Sequence, residues 1–144
     1  MKAESTIMPV APYEIEYDGD IARVTFFENA EWVETEDSEE DETHKCRYDM
    51  YQLAVRNREN LIDSLENNIE AWAQMAKDVE YANLACAIRQ KRDQLLKDSD
   101  WTQMVDVALT SEEKEAWRIY RQALRDVPQQ EGFPYDVMCP MLPP

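Results

Sequence analysis

Apolar and polar residues alternate through much of the first third of the chain, and this pattern predicts a small antiparallel sheet. Residues 13–17 alternate aromatic or aliphatic residues with Glu, which is the period of two expected of a strand. Asp18-Gly19-Asp20 predicts a tight turn, because glycine adopts positive φ without steric cost. A second strand returns over residues 21–27. Alternation resumes over residues 46–55, with a phase slip at Met50-Tyr51 that indicates a bulge.

The connections in this region carry most of its polar residues. Glu28-Asn29-Ala30 predicts another turn, after which Glu31-Trp32-Val33 either begins a third strand or ends the second. Residues 34–42 hold seven acids in nine positions, so we expect an acidic loop over residues 34–43. A calcium loop needs a glycine for its sharp turn, and this run has none. The loop is therefore interpreted as solvated, with a docking site for a basic partner as the alternative.

After residue 56 the apolar period changes to 3.6, which predicts helices. A first stripe at helical spacing indicates a core face, with a partner groove or an oligomer seam as the alternative. Its members are Leu61, Leu65, Ile69, Trp72, Met75 or Ala76, and Val79. Beyond Val79 the apolar face moves about half a turn round the helix. We favour one helix from an N-cap at Asn57 to about residue 79, a break near residues 80–82, and another helix to residue 98. The alternative is one long helix that buries different faces at its two ends.

A well-marked helix lies nearer the C-terminus. Asp98-Ser99-Asp100 is expected to end the preceding helix, because these side chains compete with the backbone for hydrogen bonds. Thr110 and Glu113 form the pattern of a capping box, and Pro128 marks the end of the helix that begins there. Trp101, in the loop between the two helices, either fills a gap in the core or anchors a partner. The predicted core of this region is Trp117, Tyr120, Leu124 and Phe133.

Four cations follow one narrow stripe of this helix, beside its predicted core face. They are Lys114, Arg118, Arg121 and Arg125. One interpretation pairs them with the protein's own acids. The other makes them, together with Trp101, a binding strip for an acidic partner. A phosphate or nucleic-acid site is disfavoured, because the field of the surrounding chain is negative.

Composition narrows the function classes. The 144 residues carry a net charge of -16, whereas binders of nucleic acid or anionic membranes need a basic surface. No apolar run reaches the length of a membrane span, and the polar start does not resemble a secretion signal. Three widely spaced cysteines indicate free thiols in a reducing compartment. His44 is the single histidine, and the chain has no Gly-rich phosphate loop. We therefore predict no catalytic site, no metal and no cofactor.

These elements predict an α+β protein in three segments. Residues 1–56 form an N-terminal antiparallel meander with its acidic loop, and residues 57–90 form the core helices. Residues 91–144 form a C-terminal module that ends in an extended, Pro-rich tail, which gives about three helices in all.

One combination of residues in the C-terminal module is specific. Its members are Arg92, Leu95, Leu96, Asp100, Trp101, Thr102, Gln103, Asp106, Leu109, Thr110, Trp117, Tyr120, Arg121, Gln122, Leu124, Arg125, Asp126, Pro128, Gln130, Phe133 and Pro134. With this combination the module resembles a segment of phage and prophage tail-region proteins, the phage tail assembly chaperone proteins. Two positions depart from the pattern, since Val105 stands where a proline is expected and Cys139 where a tryptophan is expected.

The resemblance implies a non-enzymatic phage or prophage tail protein. Its implied role is that of a chaperone or accessory factor in tail or tail-fibre assembly, acting by protein–protein binding. The alternative is a structural virion component, as an adaptor or decoration of the tail or fibre. The implied partner is a phage tail or tail-fibre protein, in the bacterial host cytoplasm during assembly or in the virion tail. Nucleic acid and membranes are not expected partners, and homo-oligomerisation stays open.

Overall fold

The computed structural model describes residues 2–33 and 45–144, so the predicted acidic loop 34–43 and His44 lie outside the described residues. The elements are β1 (Lys2–Ser5), β2 (Tyr13–Asp18), β3 (Ile21–Val33), β4 (Lys45–Arg56), α1 (Leu61–Asn67), α2 (Ile69–Asp98) and α3 (Ser111–Asp126), with short 3-10 helices at Asp100–Gln103 and Val127–Gln129. The predicted α+β class is confirmed. The chain divides into two compact units, Met1–Glu80 and Tyr81–Pro144, which are described in turn.

The first unit is built on a four-stranded antiparallel sheet in the order β1-β4-β3-β2. Strands β2 and β3 meet at the predicted turn, where Gly19 has a φ of 60°. The prediction of three strands is wrong in number, because Lys2–Ser5 adds a fourth strand beside β4. A strand of four residues is too short for a period of two to stand out in the sequence.

The turn expected at Glu28-Asn29-Ala30 is instead an irregularity inside a long strand, since β3 continues to Val33. The register between β3 and β4 shifts between Glu28 and Glu31. Asn29 adopts a φ of 53° there, and its side-chain amide donates a hydrogen bond of 2.9 Å to Asp49 Oδ2. The bulge expected at Met50-Tyr51 is wrong, because β4 runs without interruption through both residues. The apolar phase slips at that point because the strand carries apolar residues on both faces.

One face of the sheet packs against α1 and α2 to form the core of the first unit. The buried cluster is Ala22, Val24, Phe26, Leu53, Leu61, Leu65, Ala73 and Ala76. The predicted helical stripe is therefore core at Leu61, Leu65 and Ala76, whereas Met75 is half exposed. Burying a leucine side chain contributes about 1.5–3 kcal/mol, so these few positions supply much of the stability of the unit.

Lys77 links α2 to the sheet. Its ammonium lies 2.6 Å from a carboxylate oxygen of Glu28 and 5.2 Å from the centre of the Tyr51 ring. The hydrogen bond to Glu28 raises the pKa of Lys77, and burial raises the pKa of Tyr51. The ammonium of one lysine thus contacts both β3 and β4.

The helix break is not where the apolar pattern predicts it. The helical region begins at Leu61 after Asn60, so the N-cap expected at Asn57 is wrong, and it breaks between Asn67 and Ile69. The side-chain amide of Asn67 donates to the carbonyl of Asp63 over 2.7 Å, which is the competition with the backbone expected of Asn in a helix. No break occurs near residues 80–82, because α2 buries a different face on either side of them without a proline or glycine to interrupt it.

The second unit contains the end of α2, the two 3-10 helices and α3. The predicted capping box is confirmed: Thr110 Oγ1 accepts from the Glu113 amide over 3.2 Å, and Glu113 accepts from the Thr110 amide over 2.7 Å. The tail is not extended throughout, since the chain turns after Gly132, where the Asp136 amide donates to the Gly132 carbonyl over 2.7 Å. Gly132 is required there, because a Cβ would lie 2.9 Å from the Asp136 Cβ and would overlap the Asp136 carbonyl oxygen.

Candidate partner-binding surface

The four cations predicted to form one strip of α3 separate into two kinds. They fall within about 60° of arc on the helix, as their spacing requires. Arg121 is nevertheless buried, with 7% of its surface exposed, whereas Lys114, Arg118 and Arg125 are exposed. The first interpretation of the stripe, pairing within the protein, therefore describes Arg121 and also Arg118, which pairs with Glu115. Lys114 and Arg125 stay candidates for contact with a partner.

The guanidinium of Arg121 binds the C-terminal end of α2. Its Nη1 donates to the carbonyl of Leu96 over 2.6 Å and to Ser99 Oγ over 2.7 Å. Its Nη2 donates to Asp100 Oδ1 over 2.8 Å. The last carbonyls of a helix have no partner within the helix, and they carry the negative end of its dipole. Arg121 supplies both the hydrogen bonds and the positive charge that this helix end requires.

Ser99 is the centre of this contact. Its hydroxyl lies within hydrogen-bond distance of the Leu95 and Leu96 carbonyls, at 2.8 and 3.0 Å, and its own carbonyl accepts from the hydroxyl of Thr102 over 2.7 Å. Ser99 and Thr102 are both buried. The predicted end of α2 at this polar motif is confirmed, and the same motif starts the 3-10 helix that holds Trp101.

Arg118 is exposed but paired within α3. Two of its nitrogens donate to the two carboxylate oxygens of Glu115, each over 2.7 Å. This pair lowers the pKa of Glu115 and raises the pKa of Arg118. Lys114 and Arg125 form no ion pair with any residue that the structure describes. These two cations therefore carry the unneutralised positive charge of the strip.

Trp101 lies against α3 rather than inside the core. Its ring packs edge-on against Trp117 with 5.6 Å between ring centres, and Trp117 packs edge-on against Tyr120 at the same distance. Burial decreases along this row, because Tyr120 is 4% exposed and Trp101 is 43% exposed. Burial also raises the pKa of Tyr120. The row fixes one face of the Trp101 indole and leaves the remainder at the surface.

The loop after Trp101 adds apolar side chains that the sequence did not assign to a binding surface. Met104 is 60% exposed and Val105 is fully exposed. We call Trp101, Met104 and Val105 the apolar loop. Lys114 lies one helical turn from Trp117, the residue that Trp101 contacts. The second unit therefore presents an exposed apolar loop and, on α3, exposed cations that form no ion pair with the described residues.

The predicted core residues of this unit differ in how deeply they are buried. Tyr120 and Leu124 are buried, and Trp117 and Phe133 are partly buried. The Arg89 guanidinium lies 5.2 Å from the centre of the Phe133 ring, which places the turn of the tail against α2.

Among residues 2–33 and 45–144 no group of three His, Cys, Asp or Glu side chains is placed to hold a metal ion. No helix within those residues is long and apolar enough to cross a membrane.

Residues 85–144 match a family model described as phage tail assembly chaperone protein. This segment is phage tail assembly chaperone-like. Its limits nearly coincide with those of the second unit, Tyr81–Pro144, so the likeness covers the Arg121 contact, the aromatic row and the apolar loop together. No curated protein and no solved structure matches the chain.

The residue combination that carries the resemblance includes some, but not all, of the residues that form the contacts of this segment. Asp100 and Arg121 both belong to the residue combination that carries the resemblance, and they form an ion pair in the structure. A pairing between them was therefore available as a hypothesis from the sequence. Ser99 and Val105 lie outside that combination. The sequence placed Ser99 at a helix end, but it carries no signal that Ser99 is buried there or that Val105 is fully exposed.

Proposed function

We propose that the protein is an accessory factor of phage tail or tail-fibre assembly that acts by binding a tail protein through its chaperone-like segment. The observation that carries this proposal is the family match over residues 85–144, a range that nearly coincides with the compact unit Tyr81–Pro144. In this proposal the protein acts in the bacterial host while tails are being built. The contact residues are the apolar loop together with Lys114 and Arg125.

The exposure of the apolar loop supports a binding role. Three large apolar side chains within five residues leave a surface that is more favourable when it is covered. Tryptophan is enriched among the residues that dominate interface energies, and methionine adapts to partners of different shape. Trp101 is held by Trp117 on one side, so it is ordered before a partner arrives. An anchor ordered in advance lowers the entropic cost of binding.

The charge of the chain indicates what kind of partner surface would bind. On a chain with a net charge of -16, a partner must either tolerate the negative field or meet the local cations at Lys114 and Arg125. An acidic segment with an apolar anchor residue fits the apolar loop and both cations. The remaining negative charge of the chain would keep an aggregation-prone tail protein in solution while it is bound.

A binding assay with matched variants tests the proposal. The chain is co-expressed with tail and tail-fibre proteins of the phage that encodes it, and the affinity of any complex is measured by calorimetry. Lys114→Glu with Arg125→Glu is expected to weaken binding about tenfold, since each exposed charge contact contributes up to about 1 kcal/mol. Lys91→Glu with Arg58→Glu makes the same change in net charge on two exposed positions outside α3 and serves as the control.

Met104→Ser with Val105→Ser tests the apolar loop in the same assay. Both side chains are exposed, so the melting temperature should stay unchanged while affinity falls. If no tail protein binds the wild-type chain, the proposed function is wrong. If the control variant weakens binding as much as the α3 variant does, the cations of α3 are not the contact surface. Recovery of the chain in purified virions would favour the structural-component alternative.

A further inference from the structure

The first unit carries a second surface that lies outside the chaperone-like segment. We propose that the face of its sheet opposite α1 and α2, together with the segment between β1 and β2, forms a docking groove for a basic partner segment that inserts an apolar side chain. This inference does not depend on the proposed function, because none of its residues belongs to residues 85–144. It concerns a different partner chemistry from that of the apolar loop.

Strand register separates the two faces of the sheet. The pairs Phe26 with Tyr51 and Val24 with Leu53 lie on the face that α1 and α2 cover. The alternate pair Phe27 with Met50, and Tyr48 beyond it, therefore lie on the opposite face. The side of an antiparallel sheet that faces water normally presents polar residues. This one presents an aromatic pair, since Phe27 and Tyr48 pack edge-on with 5.4 Å between ring centres.

The segment between β1 and β2 forms one wall of the groove. Ile7 is 72% exposed and Val10 is fully exposed, and both line the groove together with Phe27 and Tyr48. The carbonyl of Pro12 accepts a hydrogen bond from the Phe27 amide over 3.0 Å, which fixes the end of the wall on β3. Proline restricts the backbone of this segment, so its shape is set before binding.

The charges at the groove decide its occupant. Glu14 and Glu16 of the edge strand β2 line it, and among the described residues no lysine or arginine does. A second copy of the chain would bring further negative charge to this rim. The floor is mixed, since Thr25 and Gln52 lie beside the aromatic pair. A segment with Lys or Arg on either side of an apolar residue meets both the carboxylates and the aromatic pair. The groove has a volume of about 530 Å³, within the roughly 300–1,000 Å³ typical of sites that enclose a small ligand or side chain.

Peptide titration of the isotope-labelled full chain tests this inference. The probe is a ten-residue peptide with one central Leu flanked by four Lys. Its two counterparts replace the four Lys with Glu, or the Leu with Gly. The Lys–Leu peptide should shift the amide resonances of the groove residues and bind at least about fivefold more tightly than either counterpart.

Variants identify the groove as the site. Glu14→Lys with Glu16→Lys should weaken the Lys–Leu peptide about fivefold, and Val10→Ser should weaken it without altering the fold. Glu66→Lys with Glu70→Lys, on exposed positions of the same unit, makes the same change in net charge and should leave affinity nearly unchanged.

Three outcomes would overturn the inference. Resonance shifts could follow acidic residues throughout the chain, the Glu66 and Glu70 control could weaken the peptide as much as the groove variant, or the Leu→Gly peptide could bind equally well. Dimerisation of the free chain in sedimentation, abolished by Val10→Ser, would assign the groove to a second copy instead. None of these results involves the tail-protein assay, so each proposal can fail alone.

Discussion

Replacement of Arg121 by lysine separates a structural cation from the surface cations of the same helix. Lysine keeps the charge but has one nitrogen in place of the planar fork. Arg121 makes three hydrogen bonds in two directions, to Leu96, Ser99 and Asp100. A lysine ammonium at this position can retain about one of them. The expected consequence is a loosened contact between α3 and the end of α2.

The magnitude follows from the burial of each partner. A buried hydrogen bond to a charged group contributes about 1.5–3 kcal/mol, which applies to Ser99. The Asp100 side chain is 64% exposed, so loss of its bond costs about 0.5 kcal/mol. Arg121 Nε is buried without a hydrogen-bond partner among the described residues, and its removal recovers part of this loss. We therefore expect Arg121→Lys to lower the free energy of unfolding by about 2 kcal/mol.

Urea denaturation followed by tryptophan fluorescence measures this change, because Trp101 and Trp117 lie close to the contact. Amide exchange at Thr102, whose amide donates to the Ser99 carbonyl over 3.1 Å, gives a local readout. Arg125→Lys is the matched control on an exposed position of α3 and should change stability by less than about 0.5 kcal/mol. Equal effects of the two substitutions would refute the structural role of Arg121.

Four further predictions concern the N-cap of α3, the turn of the tail and the core. Thr110→Ala should lower stability by about 1 kcal/mol in urea titrations by removing the N-cap of α3. The hydrogen bond from the Thr110 amide lowers the pKa of Glu113 below its ordinary value of 4.5. The ionised carboxylate therefore contributes fully to the free energy of unfolding above pH 4.5, and this contribution is lost on acidification. A Glu113→Gln chain should lack this acid dependence in urea titrations at different pH values. Gly132→Ala should cost about 1–3 kcal/mol in thermal melts, because its Cβ meets Asp136, and an unchanged melt would contradict the turn described here. Leu65→Ala should cost about 2–5 kcal/mol in denaturant titrations, whereas Ile62→Ala, one turn away and 47% exposed, should cost far less.

The ends of helices were the most predictable part of the fold. The capping box at Thr110 and Glu113 and the end of α2 before Ser99 follow from side chains that bond to nearby backbone groups. Such interactions depend on neighbouring residues alone, so a single sequence suffices to predict them. The period of the apolar residues likewise identified the helical core positions Leu61 and Leu65.

Features that depend on distant partners were less predictable. Strand β1 is recognisable only through its pairing with β4, and the irregularity at Asn29 depends on the register between β3 and β4. The continuity of α2 through residues 80–82 depends on which neighbours cover each half of it. An apolar pattern records that a face is buried but does not record where the covering residues come from.

The same limit applies to the candidate surface. The spacing of the four cations is correct for one strip, yet Arg121 turns inward because the end of α2 supplies its acceptors. Lys114 and Arg125 differ from it only in having no such neighbour among the described residues. Sequence spacing therefore located the stripe, and the structure was needed to separate its buried member from its exposed members.

Mass spectrometry of material from assembling cells tests the central proposal most directly. An affinity-tagged chain is purified during phage production, beside the Lys114→Glu, Arg125→Glu variant, and finished virions are analysed in parallel. If the protein is an assembly factor, one tail or tail-fibre protein is enriched with the wild-type chain and depleted with the variant, and the chain is absent from virions. Equal recovery of tail proteins by both chains, or enrichment of none, would contradict this proposal.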